Sequence, residues 1–144
     1  QTAIPASAPS AITVGATTLA DAPAYYTNQG KCVDIFAPGS SILSAWFGAA
    51  DATYTANGTS MASPHVAGAA AIYLGLNPTA SVAQVAQYLD AESTKDAITG
   101  LKAETVISIF MFRQLMAEHR LLLQWLHKRV LQTLPTRQQM FYII

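Results

Sequence analysis

One serine stands where a helical pattern begins, and its position gives it the clearest capacity for chemistry. Ser60 follows the small residues Gly58 and Thr59 and opens an apolar helical run. We expect Pro64 to fall in the first turn, where a missing N–H costs little. Backbone N–H groups at a helix N-terminus lack helical partners, so together with the helix dipole they stabilise negative charge on a substrate oxygen. Ser60 is therefore a candidate nucleophile for acyl transfer.

The same pattern has a simpler interpretation. Serine is a preferred N-cap residue in any protein, so Ser60 could merely cap an Ala-rich core helix. The residues that follow are small enough to let a helix pack closely on neighbouring backbone. They are Ala62, Ala67, Gly68, Ala69, Ala70 and Ala71. The sequence therefore predicts a buried central helix, with Ser60 as its nucleophile or its cap.

A longer motif surrounds the serine. The segment Gly58–Gly68 reads GTSMASPHVAG and resembles the nucleophile motif of the subtilisin-like serine peptidases, which usually have Thr in place of Ser63. Further matches precede it in the family's order, at 5–7, 13–16, 28–30, 33–39 and 42–46. The pattern is similar to the proteinase K and aqualysin branch in particular. The resemblance runs from about Pro5 to about Asp96 and gives Ser60 the nucleophile's place.

This resemblance implies a fold. A chain of 144 residues is shorter than a complete peptidase domain of the family, so the resemblance implies a C-terminal portion of one. The family fold is a three-layer α/β arrangement, with a parallel sheet and a buried nucleophile helix. Short apolar runs predict strands at Ala11–Ala16, Cys32–Phe36 and Ile42–Phe47. A turn at Gly48–Asp51 leads into Thr53–Ala56 before the nucleophile helix. Capping-box spacing between Ser81 and Gln84 predicts a second helix that ends near Asp90.

A serine nucleophile also needs a general base and a group that orients it. The family supplies Asp, then His, then Ser along the chain, yet no His precedes Ser60. His65 lies five residues after the serine, at a position that the family treats as structural, and we expect that role for it. By the resemblance, the triad Asp and His and the oxyanion-hole Asn are missing from this chain. The backbone N–H of Ser60 remains as one oxyanion donor.

An aspartate on a predicted strand suggests a metal site. By the resemblance, Asp34 matches a calcium-binding aspartate, and the carbonyls of Pro9 and Ala11 complete that site. Carboxylate and carbonyl oxygens suit Ca²⁺. The alternative is an aspartate at a strand edge that accepts a hydrogen bond from a turn. The chemistry on Ser60 itself requires no cofactor.

Cys32 is the single cysteine, so it cannot form a disulfide within the chain. We expect a half-buried residue at the start of a strand. In aqualysin-like relatives a cysteine at this place pairs with one upstream. The sequence Asn57-Gly58-Thr59 also matches an N-glycosylation signal, which we interpret as accidental because it adjoins the nucleophile. The resemblance implies a secreted protein, although the chain does not start with a leader.

The composition changes near Gly100, which divides the chain into a peptidase part, 1–100, and a tail, 101–144. Six of the eight Lys and Arg residues lie in the tail, against two of the eight acidic residues. Residues from Glu104 to Leu134 predict a basic amphipathic helix. Two interpretations stay open: a non-catalytic product that binds a membrane or partner through the tail, or a tail created by a shifted reading frame or retained intron. We expect polypeptide substrates for the complete enzyme and no nucleic-acid partner.

Overall fold

The computed structural model describes residues 8–105 and 108–109, which form six strands and two helices. The strands are β1 (Val14–Thr17), β2 (Ile35–Pro38), β3 (Ile42–Ala45), β4 (Thr53–Ala56), β5 (Thr94–Lys95) and β6 (Ser108–Ile109). The helices are α1 (Thr59–Leu76) and α2 (Val82–Ala91). The match at 5–7 and most of the predicted tail helix lie outside the described residues.

The main sheet has the strand order β1-β2-β6-β5. Strand β2 pairs in parallel with β1 and with β6, whereas β5 pairs with β6 in the antiparallel sense. Strands β3 and β4 form a separate antiparallel hairpin that leads into α1. The predicted α/β architecture is confirmed, and the sheet is mixed because its β5 edge is antiparallel.

Strand β2 is the centre of the packing because it is buried on both faces. Ile35 and Ala37 point into a core cluster shared with β1, α1 and α2. Phe36 points to the opposite face and packs with Ile98 and Ile109. A strand that is buried on both faces has apolar residues at successive positions, because neither face meets solvent. This is why polar and apolar residues do not alternate in this segment.

Helix α1 crosses β1 and β2 on a stripe of small side chains. Ala62, Val66 and Ala69 are buried at helical spacing. The predicted burial is seen along this stripe, while the opposite side, which includes Ala67 and Gly68, is exposed. Ala side chains bring the helix backbone close to the sheet, so the position of the helix is defined by backbone contact.

Helix α2 begins with the predicted capping box. The backbone N–H of Gln84 donates to the hydroxyl of Ser81 at 3.3 Å, and the backbone N–H of Ser81 donates to the Gln84 side-chain oxygen at 2.8 Å. Such a cap stabilises a helix by about 1 kcal/mol. Tyr88 of this helix stacks on Tyr73 of α1, with ring centroids 4.2 Å apart.

The predicted strand starts were too early. Strand β1 begins at Val14 rather than Ala11, and β2 begins at Ile35 rather than Cys32. Cys32 is exposed with a free thiol, not half-buried as expected. The reason is a turn before β2, in which the backbone N–H of Val33 donates to the carbonyl of Gly30 at 3.0 Å.

The first residues of the tail also differ from expectation. Ser108 and Ile109 form strand β6 and not the start of a helix, because Ile109 pairs with Phe36 on one side and Thr94 on the other. Pairing across the sheet outweighs the local helical preference here. The helix predicted for the rest of the tail, and the membrane or partner binding attached to it, lie outside the described residues.

Candidate active site

Ser60 is the second residue of α1, and it is exposed. The helix N-cap is Gly58, and no side chain makes a capping hydrogen bond there. The prediction that Ser60 lies at a helix N-terminus is therefore confirmed, whereas the interpretation of Ser60 as the capping residue is wrong. A capping serine accepts a hydrogen bond from a backbone N–H of the first turn, and the Ser60 hydroxyl accepts none.

Pro64 lies one turn further into the helix than expected. It is the sixth residue of α1, so it belongs to the second turn and not the first. A proline has no N–H to donate to the carbonyl four residues earlier, which here belongs to Ser60. The carbonyl of Ser60 therefore lacks the hydrogen bond that the N–H of residue 64 would normally donate to it in a helix.

The first turn of α1 leaves two backbone donors exposed. The N–H groups of Met61 and Ala62 both donate to the carbonyl of Gly58, at 3.0 and 3.4 Å. Among the described residues, the N–H groups of Thr59 and Ser60 donate to no acceptor. A donor beside the Ser60 hydroxyl is thus available to a negatively charged oxygen, as the sequence pattern indicated.

His65 turns back along its own helix. Its Nδ1 lies 2.7 Å from the carbonyl oxygen of Met61, so Nδ1 carries the proton and donates. Within residues 8–105 and 108–109, the hydroxyl of Ser60 has no hydrogen-bond partner. This part of the chain therefore presents the candidate nucleophile without bringing a base to it.

A groove of about 500 Å³ runs beside the serine, between β3 and α1. Residues 42–44 form one wall, and Ser60, Met61, Pro64 and His65 lie on the other. Most of its lining is apolar, and the groove is partly open to solvent. An extended polypeptide that lay in this groove would bring its backbone past the Ser60 hydroxyl.

Two hydrogen bonds hold the loop in front of the serine. The N–H of Gly58 donates to the carbonyl of Gly39 at 2.8 Å, and the N–H of Ser41 donates to Oδ1 of Asn57 at 2.7 Å. The approach is close, since a Cβ on Gly39 would lie 2.8 Å from the Gly58 carbonyl oxygen. The sequence predicts a strand that ends at Phe36, but it does not predict this connection at Gly39. The glycine was the available signal, because close backbone approach is one of the reasons for that residue.

Asp34 directly precedes the inner strand β2, and it lies close to the two residues predicted to share a calcium ion with it. Its Oδ2 accepts a hydrogen bond from the backbone N–H of Thr13, the residue before β1, at 2.7 Å. Pro9, Ala11 and Asp34 nevertheless line one depression of about 280 Å³. No group of three His, Cys, Asp or Glu side chains suited to a metal occurs in the described part of the chain. Carbonyl oxygens and water would therefore have to supply most of the coordination.

Neither α1 nor α2 combines the length and the apolar character needed to cross a bilayer.

These features, a serine exposed in the first turn of a helix that packs on a mainly parallel sheet, agree with comparisons to known proteins. The Subtilase family model matches residues 1–106. The chain therefore belongs to the subtilase family. A crystal structure of a cold adapted subtilisin-like serine proteinase superposes with a TM-score of 0.69 at 40% sequence identity, covering 74% of this chain and 38% of that one. The subtilisin-like fold predicted from the motif is confirmed.

Curated relatives give the same family. A subtilase-type proteinase named for the sexual differentiation process of Schizosaccharomyces pombe is 59% identical over 81 residues, which is 56% of this chain and 17% of the relative. The subtilisin-like serine protease Pen ch 18 of Penicillium rubens is 49% identical over 104 residues, covering 72% of this chain and 21% of the relative. The extracellular serine proteinase of a Thermus species is 53% identical over 94 residues, covering 65% and 23%. The chain thus spans about a fifth of the length of these relatives.

Proposed function

We propose that this chain is the nucleophile-bearing part of a serine endopeptidase that hydrolyses peptide bonds through an acyl-enzyme on Ser60. One observation carries the proposal: Ser60 is exposed in the first turn of α1, its hydroxyl makes no capping hydrogen bond, and it lies within the residues that the Subtilase family model matches. The open groove beside the serine supports a polypeptide as the substrate.

The reaction assigns a role to each group near the serine. The Ser60 oxygen attacks the carbonyl carbon of the scissile peptide, and its proton passes to a histidine supplied by the complete enzyme. The carbonyl oxygen becomes negative and accepts a hydrogen bond from the Ser60 N–H. The proton returns to the amine that leaves, and a water molecule then hydrolyses the ester and restores the serine.

The test is a chimera, which we call the completed enzyme. A close relative's N-terminal portion, with its triad Asp, triad His and oxyanion Asn, is joined ahead of Gln1, and the relative's ending replaces the residues after Gly100. We expect hydrolysis of casein and covalent labelling by a fluorophosphonate. Ser60→Ala is expected to abolish both, because it removes the attacking oxygen.

The neighbouring serine provides a matched control. Ser63 is exposed on the same helix, and Ser63→Ala removes a hydroxyl of the same kind without touching the proposed nucleophile. It is expected to leave labelling and turnover unchanged. A folded completed enzyme that is inactive, or one that is still labelled after Ser60→Ala, would refute the assignment.

We further propose a structural calcium ion held by Pro9, Ala11 and Asp34, in a depression that is also lined by Ala8, Thr13, Lys31 and Cys32. The support is that the three residues share one depression and that Oδ1 of Asp34, in the described part of the chain, accepts no hydrogen bond. Oxygen ligands of this kind suit Ca²⁺, and water would complete the coordination. We also propose that the complete protein is secreted, since one relative is named as extracellular.

A further inference from the structure

We infer that Tyr26 is a positioning residue for Ser60, acting through the backbone of Gly39 and Gly58. The inference rests on the proposed function, in which Ser60 is the nucleophile. Tyr26 lies in the connection between β1 and β2, and it touches neither the serine nor the groove beside it. Its effect on the reaction would therefore pass through hydrogen bonds rather than through substrate contact.

The phenol of Tyr26 is at the centre of a small hydrogen-bond network. It donates to the carbonyl oxygen of Gly39 at 2.8 Å and lies 2.7 Å from the hydroxyl of Ser40. The phenol has one proton, so when that proton goes to Gly39 the Ser40 hydroxyl donates to Tyr26. The Gly39 carbonyl also accepts the N–H of Gly58 at 2.8 Å. Both lone pairs of this carbonyl are thus used, and the phenol fixes the direction in which it faces Gly58.

The two ends of this connection are held differently. On the sheet side, the N–H groups of Gly39 and Ser40 donate to the carbonyl of Thr17 at 3.0 and 3.2 Å, and the ring of Tyr26 packs against the main core cluster. On the helix side, Gly58 precedes Ser60 by two residues, and its carbonyl accepts the first hydrogen bonds of α1. A change in the orientation of the Gly39 carbonyl is therefore passed to the first turn, where the serine lies.

Removal of the phenol hydroxyl is expected to reduce turnover without weakening substrate binding. Without its second hydrogen bond, the Gly39 carbonyl has more freedom and the Gly58 tie is weaker. The Ser60 oxygen then spends less time in the attacking geometry, which affects the chemical step. One neutral hydrogen bond corresponds to a change of about threefold to tenfold in an equilibrium or rate.

The experiment compares Tyr26→Phe with Tyr25→Phe in the completed enzyme. The two tyrosines are adjacent, but the side chain of Tyr25 is 99% exposed and contacts Tyr26 only by a ring edge, at 5.1 Å between centroids. We expect Tyr26→Phe to lower kcat and the rate of fluorophosphonate labelling by about threefold to tenfold, with KM unchanged. Tyr25→Phe is expected to match the parent. A kcat of Tyr26→Phe equal to that of Tyr25→Phe, or a change confined to KM, would overturn the inference.

A second measurement separates this inference from the proposed function. Hydrogen exchange of the Gly58 amide is followed in the folded completed enzyme, whether or not that protein is active. We expect exchange at least about threefold faster in Tyr26→Phe than in Tyr25→Phe, because the acceptor of that amide is less well held. Equal exchange rates would overturn the role of Tyr26. If the parent enzyme is inactive but Gly58 exchanges faster in Tyr26→Phe than in Tyr25→Phe, the result would instead count against Ser60 as the nucleophile.

Discussion

Gly39→Ala tests the contact that joins the sheet to the nucleophile helix. A Cβ built on Gly39 lies 2.6 Å from the Cβ of Ala16, 2.8 Å from the carbonyl oxygen of Gly58 and 3.3 Å from the Cβ of Ala62. The first distance is about 0.8 Å short of the 3.4 Å at which ordinary van der Waals contact begins. Two of these neighbours are a backbone atom and a methyl group on a strand, neither of which can rotate away. The backbone at Gly39, directly after β2, must therefore move away from both β1 and the start of α1.

The size of the effect follows from that displacement. Gly39 is not among the residues with positive φ, so alanine fits its backbone conformation and the clash alone decides the outcome. Overpacking of this kind costs about 1–3 kcal/mol of unfolding free energy. A shift of up to about 1 Å in a catalytic group can reduce the rate by about 100-fold. We expect a loss of about 10-fold to 100-fold in kcat/KM.

Urea unfolding and peptide hydrolysis by the completed enzyme measure the two effects. Gly75→Ala is the control, because Gly75 lies inside α1 and no atom of the described chain lies within 4 Å of its added methyl group. Replacing a helix glycine by alanine stabilises by about 1 kcal/mol, so the two substitutions should change stability in opposite directions. If Gly39→Ala keeps the parent's unfolding free energy and kcat/KM within twofold, the proposed contact between β2 and α1 is wrong.

Three further predictions concern the chain and its metal site. The isolated 144-residue chain is expected to show no turnover of casein, because the described residues bring no base to Ser60; robust turnover blocked by Ser60→Ala would contradict this. The isolated chain is also expected to aggregate or pack loosely, since apolar surface on α1 is exposed; a sharp thermal transition from a monomer would count against it. In the completed enzyme, Asp34→Asn should lower Tm in calcium but not in chelator, whereas Asp51→Asn should leave Tm unchanged; equal shifts in both conditions would exclude the calcium site.

Local signals predicted the elements whose structure is determined locally. The capping box of Ser81 and Gln84 lies within four residues, and both of its hydrogen bonds form as expected. Strand β3 begins at the expected Ile42, although it ends at Ala45 rather than Phe47. The exposure of Cys32 and the strand at Ser108 could not be predicted from the local sequence. The first depends on a turn that delays β2, and the second on pairing with Phe36 and residues 94–95, far away in sequence.

The candidate site likewise has a part that local sequence predicted and a part that it did not. A continuous motif identified Ser60, and the helix that carries the serine starts where the motif indicated. The contacts that hold this serine in place join residues 13 to 19 positions apart, through Tyr26, Gly39, Ser41, Asn57 and Gly58. Such contacts become visible only when the strands are assembled. The apolar pattern of β2 predicts that it is buried, but not which glycine touches the helix.

The composition of α1 links the reactivity of Ser60 to folding. No charged residue occurs among the 18 residues of this helix, yet only the stripe through Ala62, Val66 and Ala69 is buried in the described chain. A helix without charged residues on any side is typically buried on all sides. Ser60 and Gly68 lie on the uncovered side, beside the open groove. Because relatives are several times longer than this chain, the completed enzyme has material to cover that side. The same contacts would then bury apolar surface and bring the base to the serine, so cooperative unfolding and fluorophosphonate labelling should appear together.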